Sequence, residues 1–321
     1  MKPIVLITGD FEIPEPVRYR LDRFFEIRHL RHFSTREPLV QHLSDASYYV
    51  LGGPEYADAA LLERASSLKK IIVMGTGIPS FVNEMAAAAR GIMVYNTPSL
   101  NCDAVAEFAL GVTLLASASV FHSSRGVHSG TNWCQTLRPS LGSSTIGIVG
   151  LGEIGARLAQ NIRALSADCQ ILYWSRSRKP DKEGALRLQY ASLFEIFSRA
   201  DQCSICLAYD PVDTHHLIGR ELLGLGRGVL RILQFSNPNI IDGHALRKAL
   251  EGGDVAFAFM DGYYREWTAN GGAIADEEGL LGLGPDKFVA TSHKAALTRE
   301  ATARIVAAAA AHLLRWRTHG I

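Results

Sequence analysis

The chain has no excess charge of either sign, no even set of cysteines, no apolar run of membrane length and no metal-binding signature. Its 33 Lys and Arg stand against 32 Asp and Glu, a formal charge of +1. A balance that close supplies no broad field for nucleic acid or an anionic membrane, so neither is an expected partner. Five cysteines, scattered and odd in number, make no disulfide framework. They fit a reducing compartment, and the expected localisation is cytoplasmic. Cys203-Ser204-Ile205-Cys206 has C-x-x-C spacing but lies in an apolar run with no second pair, so it reads as core. The longest apolar stretches, 108–121 and 305–314, fall short of the roughly 18–20 residues that span a bilayer. The opening MKPIVLITGDFEIP carries no apolar signal segment with a small-residue cleavage site. No H-E-x-x-H or carboxylate cluster points to a metal, and His215-His216 reads as loop surface.

What the chain does contain is ordinary globular material. Its 321 residues are 47% hydrophobic and 20% charged, enough for about two domains. Short apolar runs at 3–8, 24–30, 47–53, 69–75 and 92–96 read as strands, with amphipathic helical windows between them. Such alternation predicts a parallel α/β sheet. A helix is predicted over 103–121 with Asp103 as its cap. A polar loop with Trp133 follows, and then a second α/β unit with strands at 204–209, 228–236, 255–262 and 287–292. An Ala-rich helix over 299–316 closes the chain.

The clearest local signal is IGIVGLGEIG at 146–155. Gly150, Gly152 and Gly155 form G-x-G-x-x-G directly after an apolar run and before a helical pattern, the context of a dinucleotide fingerprint. The first glycine permits the tight turn, the second lets backbone approach a pyrophosphate, and the third lets helix pack on strand. Free N–H groups at the helix start complement the phosphates. About 20 residues on, where a carboxylate would hold a ribose 2′-hydroxyl, the sequence reads Ser175-Arg176-Ser177-Arg178-Lys179-Pro180. Arginines suit a 2′-phosphate, so NADP(H) is expected over NAD(H).

Taken together, MGTG (74–77), GIMVYNTPSLNCDAVAE (91–107), Trp133, GIVGLGEIG, DTHHLIG (213–219), IIDGHALRKALEGGDV (240–255), MDGYYREW (260–267) and TSHKAALT (291–298) run in the order and spacing of one family. The chain resembles the D-isomer-specific 2-hydroxyacid dehydrogenases, among them glyoxylate/hydroxypyruvate reductases, and most of all their NADPH-preferring members. The resemblance implies two Rossmann-like, flavodoxin-like α/β domains with doubly wound parallel sheets. Residues 1–100 with 296–321 would bind a small-molecule substrate. Residues 101–295 would bind the dinucleotide and form a homodimer, and the substrate would lie between the domains. The implied cofactor contacts are Gly150, Gly152, Glu153, Ile154, Gly155, Ser175, Arg176, Ser177, Arg178, Thr214 and Asp261. The implied substrate contacts are Gly53, Thr76, Gly77, Asn237 and His293.

The resemblance also implies chemistry. His293 would pass a proton to the carbonyl oxygen, and Glu266 would keep that imidazole protonated. An arginine should hold the substrate carboxylate, but counting back from Asp242 puts Asn237 at its position, followed by Pro238 in place of glycine. Arg265, Lys294 and Arg231 neighbour motif residues, and the first two are expected to face away from their catalytic neighbours. Pro79 and Trp267 also depart from the family pattern. Tyr263, Tyr264 and Trp267 are equally readable as packing or as pocket lining. The expected function is an NADP(H)-dependent oxidoreductase acting on a C=O or C=N bond of a non-standard substrate. The alternative is an NADP(H)-binding sensor without catalysis, and a lyase or isomerase has no feature in its favour.

Overall fold

The computed structural model describes residues 2–32, 35–130, 137–264 and 275–319, with 317–319 described by their backbone. Contacts divide the chain into two units. One holds the residues up to Asn101 and those from Ala296 onward; the other holds Cys102–Tyr264 and Asp276–Ala295.

In the first unit five strands, β1 (Ile4–Thr8), β2 (Glu26–Leu30), β3 (Tyr48–Leu51), β4 (Lys70–Val73) and β5 (Met93–Asn96), form a parallel sheet in the order β2-β1-β3-β4-β5. Helices α1 (Glu15–Asp22), α2 (Arg36–Leu43), α3 (Ala59–Arg64) and α4 (Glu84–Ala89) connect them. The period-two alternation of a strand sorts the apolar side chains to two faces. Leu6, Tyr49, Leu51, Ile71 and Val73 join one core with Leu39, Leu43, Leu61 and Leu62. Val5, Ile7, Val50 and Ile72 join the other with Leu21, Phe25 and the closing helix, Arg299–His319. Being covered on both faces is why these strands read as unbroken apolar runs. Trp316 anchors the closing helix, 4.9 Å from the Tyr95 ring and 5.8 Å from the Tyr48 ring, with the Lys70 ammonium 4.5 Å from its own ring.

The second unit begins with helices α5 (Cys102–Ser117) and α6 (Val120–His128). The apolar run predicted one helix here. The chain instead bends by 60° between the two, where Ser119 takes a left-handed φ of 52°. Asp103 lies inside the first turn of α5 and pairs with Arg157 at 3.0 Å, so it is not the cap. Among the described residues no single helix is long and apolar enough to cross a membrane.

A seven-stranded parallel sheet follows, built from β6 (Thr145–Val149), β7 (Gln170–Trp174), β8 (Gln189–Tyr190), β9 (Gln202–Ile205), β10 (Leu230–Gln234), β11 (Val255–Asp261) and β12 (Phe288–Thr291). Between them lie α7 (Glu153–Leu165), α8 (Pro180–Leu186), α9 (Leu193–Arg199), α10 (Arg220–Leu223) and α11 (Gly243–Gly252). The strand order is β12-β11-β10-β9-β6-β7-β8. With β6 as first strand this is the doubly wound 3-2-1-4-5-6 order, extended by one strand, and its crevice opens beyond the carboxyl ends of β6 and β9. Strand β9 starts two residues before the predicted run, so Cys206–Tyr209 (206–209) is loop at that crevice rather than strand. The two-domain parallel α/β class expected from the sequence is present in both units.

Candidate active site

The carboxyl edge of the second sheet collects the predicted residues of that unit. Gly150 and Gly152 follow β6, residues 175–178 follow β7, Thr214 lies in the connection after β9, Asn237 follows β10, Asp261 ends β11 and His293 follows β12. Adjacent strands in one sheet therefore bring together positions spread over some 140 residues of sequence (150 to 293).

The glycines behave as the fingerprint requires. Gly150 has φ of 99°, and a Cβ there would stand 2.7 Å from the Cys206 carbonyl and from the Leu207 Cα. A Cβ on Gly155 would meet the Gly150 carbonyl oxygen. Gly152 differs, since a Cβ there would meet nothing within 4 Å. Gly152 is the N-cap of α7 and provides no side-chain cap. Open space in front of uncapped N–H groups at a helix start fits a pyrophosphate. Helix α7 is fixed behind it by Gly155, Leu158, Ala159 and Ile162, buried at helical spacing. Glu153 and Ile154 form its first turn. Thr214 is buried and serves its own loop. Its hydroxyl accepts from the Asp210 N–H at 2.7 Å and donates to the Asp210 carbonyl at 3.1 Å.

The basic loop is less available than its composition suggests. The Ser175 hydroxyl donates to the Ser177 carbonyl at 2.6 Å, which closes a tight turn. Arg178 donates twice to Glu183, 2.8 Å to each oxygen. The Arg178 guanidinium and the Tyr173 hydroxyl together hold the Glu183 carboxyl down at about 2. Arg176 is well exposed, with Asp213 4.0 Å away. Of the two arginines, Arg176 meets a ligand without first leaving a bidentate partner.

His293 sits in the turn after β12 with a left-handed φ of 52°. Non-glycine residues seldom adopt that conformation, and it persists where the surroundings enforce it. Asp261 does the enforcing. Its Oδ1 accepts from the Thr291 hydroxyl at 2.6 Å and the Lys294 N–H at 2.7 Å, and its Oδ2 accepts from the Ala295 N–H at 2.8 Å. Three donors flanking the histidine thus converge on one buried carboxylate. Lys294 is exposed. Glu266, Arg265, Trp267 and Trp133 lie outside the described residues.

Asn237 is half-buried and caps a 3-10 turn, Pro238–Ile240, by accepting the Asn239 N–H on Oδ1 at 2.9 Å. Its carbonyl accepts from the Gln234 side chain at 2.9 Å. The next segment is tied to the DTHHLIG loop by His216 N–H to Asn239 carbonyl at 2.8 Å and Ile218 N–H to Ile240 carbonyl at 3.0 Å. Arg231 stands apart from Asn237. It lies near the start of β10, six residues before Asn237, roughly 20 Å along an extended chain.

Tyr263 and Tyr264 turn out to be packing residues. Tyr263 is buried in the second unit's core, 6.0 Å from the Phe288 ring and 5.5 Å from Tyr264, and its hydroxyl donates to Asp276. Cys203 is fully buried and burial pushes the Cys206 thiol up to about 12, as suits core residues. Among the described residues no group of three His, Cys, Asp or Glu could hold a metal.

In the first unit Gly53 follows β3, and Thr76 and Gly77 follow β4. The Thr76 carbonyl accepts from Asn96 Nδ2 at 2.7 Å, and Gly77 caps a 3-10 turn, Ile78–Ser80, that contains Pro79. Sequence reasoning missed Glu55. Its side chain is fully buried, and Oε1 accepts from the Tyr49 hydroxyl at 2.6 Å and from Thr8.

Residues 110–295 match the family described as D-isomer specific 2-hydroxyacid dehydrogenase, NAD binding domain. A glyoxylate reductase of Pyrococcus furiosus is 30% identical over 321 residues, covering 96% of this chain and 91% of that protein. One from Korarchaeum cryptofilum is 28% identical over 99% of this chain and 93% of its own. Among solved structures, an NADPH-dependent glyoxylate/hydroxypyruvate reductase from Sinorhizobium meliloti, in complex with NADP and malonate, superposes with a TM-score of 0.78. It is 23% identical and covers 100% of this chain and 95% of that one. The chain belongs to the D-isomer-specific 2-hydroxyacid dehydrogenase family and is an NAD(P)-dependent oxidoreductase acting on CH–OH and C=O groups.

Proposed function

We propose that the protein is an NADP(H)-dependent reductase whose substrate is not a simple 2-oxo acid. The observation that carries this reading is Asn237 at the position of the family's arginine, with its carbonyl oxygen committed to the 3-10 turn. An amide nitrogen donates a hydrogen bond but brings neither charge nor a bidentate fork to a carboxylate. The acid–base part of the site is kept: His293 is held by the loop that Asp261 ties down, and Glu266 stands at the spacing of its partner.

A bound nicotinamide supplies the hydride. The chain's residues do the rest. The α7 N-terminus and the open side of Gly152 hold the pyrophosphate. Arg176 engages the 2′-phosphate. The hydride's electron pair would form the new C–H bond, and His293 would give its proton to the oxygen or nitrogen that takes up the electrons of the broken π bond, with Glu266 favouring the charged imidazole beforehand. Asn237 donates to a neutral polar group of the substrate.

Glu183 limits the NADP(H) preference, because it competes with the 2′-phosphate for Arg178. Glu183→Gln is expected to tighten NADPH roughly two- to fivefold, the scale of an exposed ion pair, with NADH unchanged, in calorimetric titration. The function itself is tested by following NADPH oxidation over a panel of carbonyl and imine compounds. Turnover of at least one of them, sensitive to replacement of His293, is expected. A folded, NADPH-binding protein inert across the panel would favour the sensor reading, which the missing arginine also accommodates.

A further inference from the structure

The first unit has the strand order β2-β1-β3-β4-β5, whose topological switch point lies between β1 and β3. In open α/β sheets of this order ligands bind beyond the carboxyl ends of the strands at that point. Thr8 is the last residue of β1, and residues 52–55, Gly-Gly-Pro-Glu, follow β3 directly. The Glu55 carboxyl folds back under this turn. The turn is braced by the Gly52 N–H, which donates to the Thr8 hydroxyl at 3.3 Å.

Among the described residues the two Glu55 oxygens are partnered differently by other side chains. Oε1 accepts from Tyr49 and Thr8, whereas Oε2 is buried without a hydrogen-bond partner among the described residues. Leaving a buried acceptor unpaired is costly, and such a group calls for an explanation. Oε2 points at Gly53, where a Cβ would collide with it. Gly53 is half-exposed, and Oε2 fills the space that a side chain on it would take. Burial raises the Glu55 pKa, opposed by the Thr8 and Tyr49 hydrogen bonds and by Glu55's own backbone N–H, and no cation among the described residues acts on it.

We infer that the turn 52–55 recognises a cationic nitrogen group on the substrate through Glu55 Oε2. The inference rests on the first unit being the substrate-binding unit. It assigns a specificity determinant to the first unit, where an acid stands at the switch point. A guanidinium or ammonium passing Gly53 supplies the donor that Oε2 lacks and the charge that favours its ionised form.

Two aldehydes of similar length, neither carrying a carboxylate, test this: 4-guanidinobutanal and hexanal. Binding is measured by calorimetry with NADP+ present, and kcat/KM with NADPH. Wild type should favour the guanidino compound by at least about tenfold. Glu55→Gln keeps an acceptor for Tyr49 and Thr8 but removes the charge, and it should bring the ratio to about one while leaving hexanal and NADPH binding unchanged. Gly53→Ala, which puts a methyl in the way of Oε2, should lower the ratio as well. A wild-type ratio near or below one, binding of neither compound, or a Glu55→Gln loss shared equally by both would overturn the inference. If the compounds bind but are not turned over, the binding ratio still decides this point, and the failure belongs to the proposed reaction.

Discussion

Replacing His293 with asparagine lowers kcat by about 10²–10⁴, the usual contribution of a positioned general acid, and leaves NADPH affinity and thermal stability close to wild type. Asparagine is the informative choice because the histidine occupies a left-handed conformation at φ of 52°. Asn tolerates that region better than most residues, whereas Ala there adds backbone strain. The surrounding turn is secured independently, by Thr291, Lys294 and Ala295 on Asp261. Lost turnover with an intact turn therefore reports the imidazole itself. The check is steady-state turnover of whichever substrate the panel yields, alongside NADPH titration and a melting curve. Full activity in His293→Asn would remove the histidine from the mechanism.

Asn237→Arg raises kcat/KM for glyoxylate by roughly 10²–10³, the scale of one well-aimed donor to a developing oxyanion. The gain is limited by what Asn237 now does. Its Oδ1 caps the Pro238–Ile240 turn, and losing such a cap costs about 1 kcal/mol. Pro238 fixes its own φ and restricts the residue before it to extended backbone, which narrows the directions an arginine can take. Asn237→Arg with Pro238→Gly should therefore exceed the single change, as read from NADPH oxidation at saturating cofactor. No gain in either variant would mean that the departure from the family lies deeper than this position.

The sequence made the frame of the site legible because that frame is local. A glycine fingerprint between a strand and a helix is read from ten consecutive residues, and Gly150, Gly152 and Gly155 have the geometry it implies. Buried parallel strands likewise announce themselves as apolar runs. The missed features are those set by distant partners. Glu55 is 47 residues from Thr8, so no local pattern marks it as the carboxylate of a switch point. Asp261 carries a resemblance-derived expectation of cofactor contact, whereas its visible work is to hold a loop 30 to 34 residues further on. The pairing of Arg178 with Glu183 is close in sequence, but nothing in the basic run shows that one of its charges is already engaged. The break between α5 and α6 escaped because neither proline nor glycine marks it; only Ser119 turns left-handed there.

The most direct measurement is calorimetric titration of the wild-type protein, freed of cofactor, with NADPH and NADH in parallel. The account predicts that NADPH binds at least about tenfold more tightly, through Arg176 at the position where an NAD-specific site would carry a carboxylate. Tighter NADH, or binding of neither by folded protein, would contradict it.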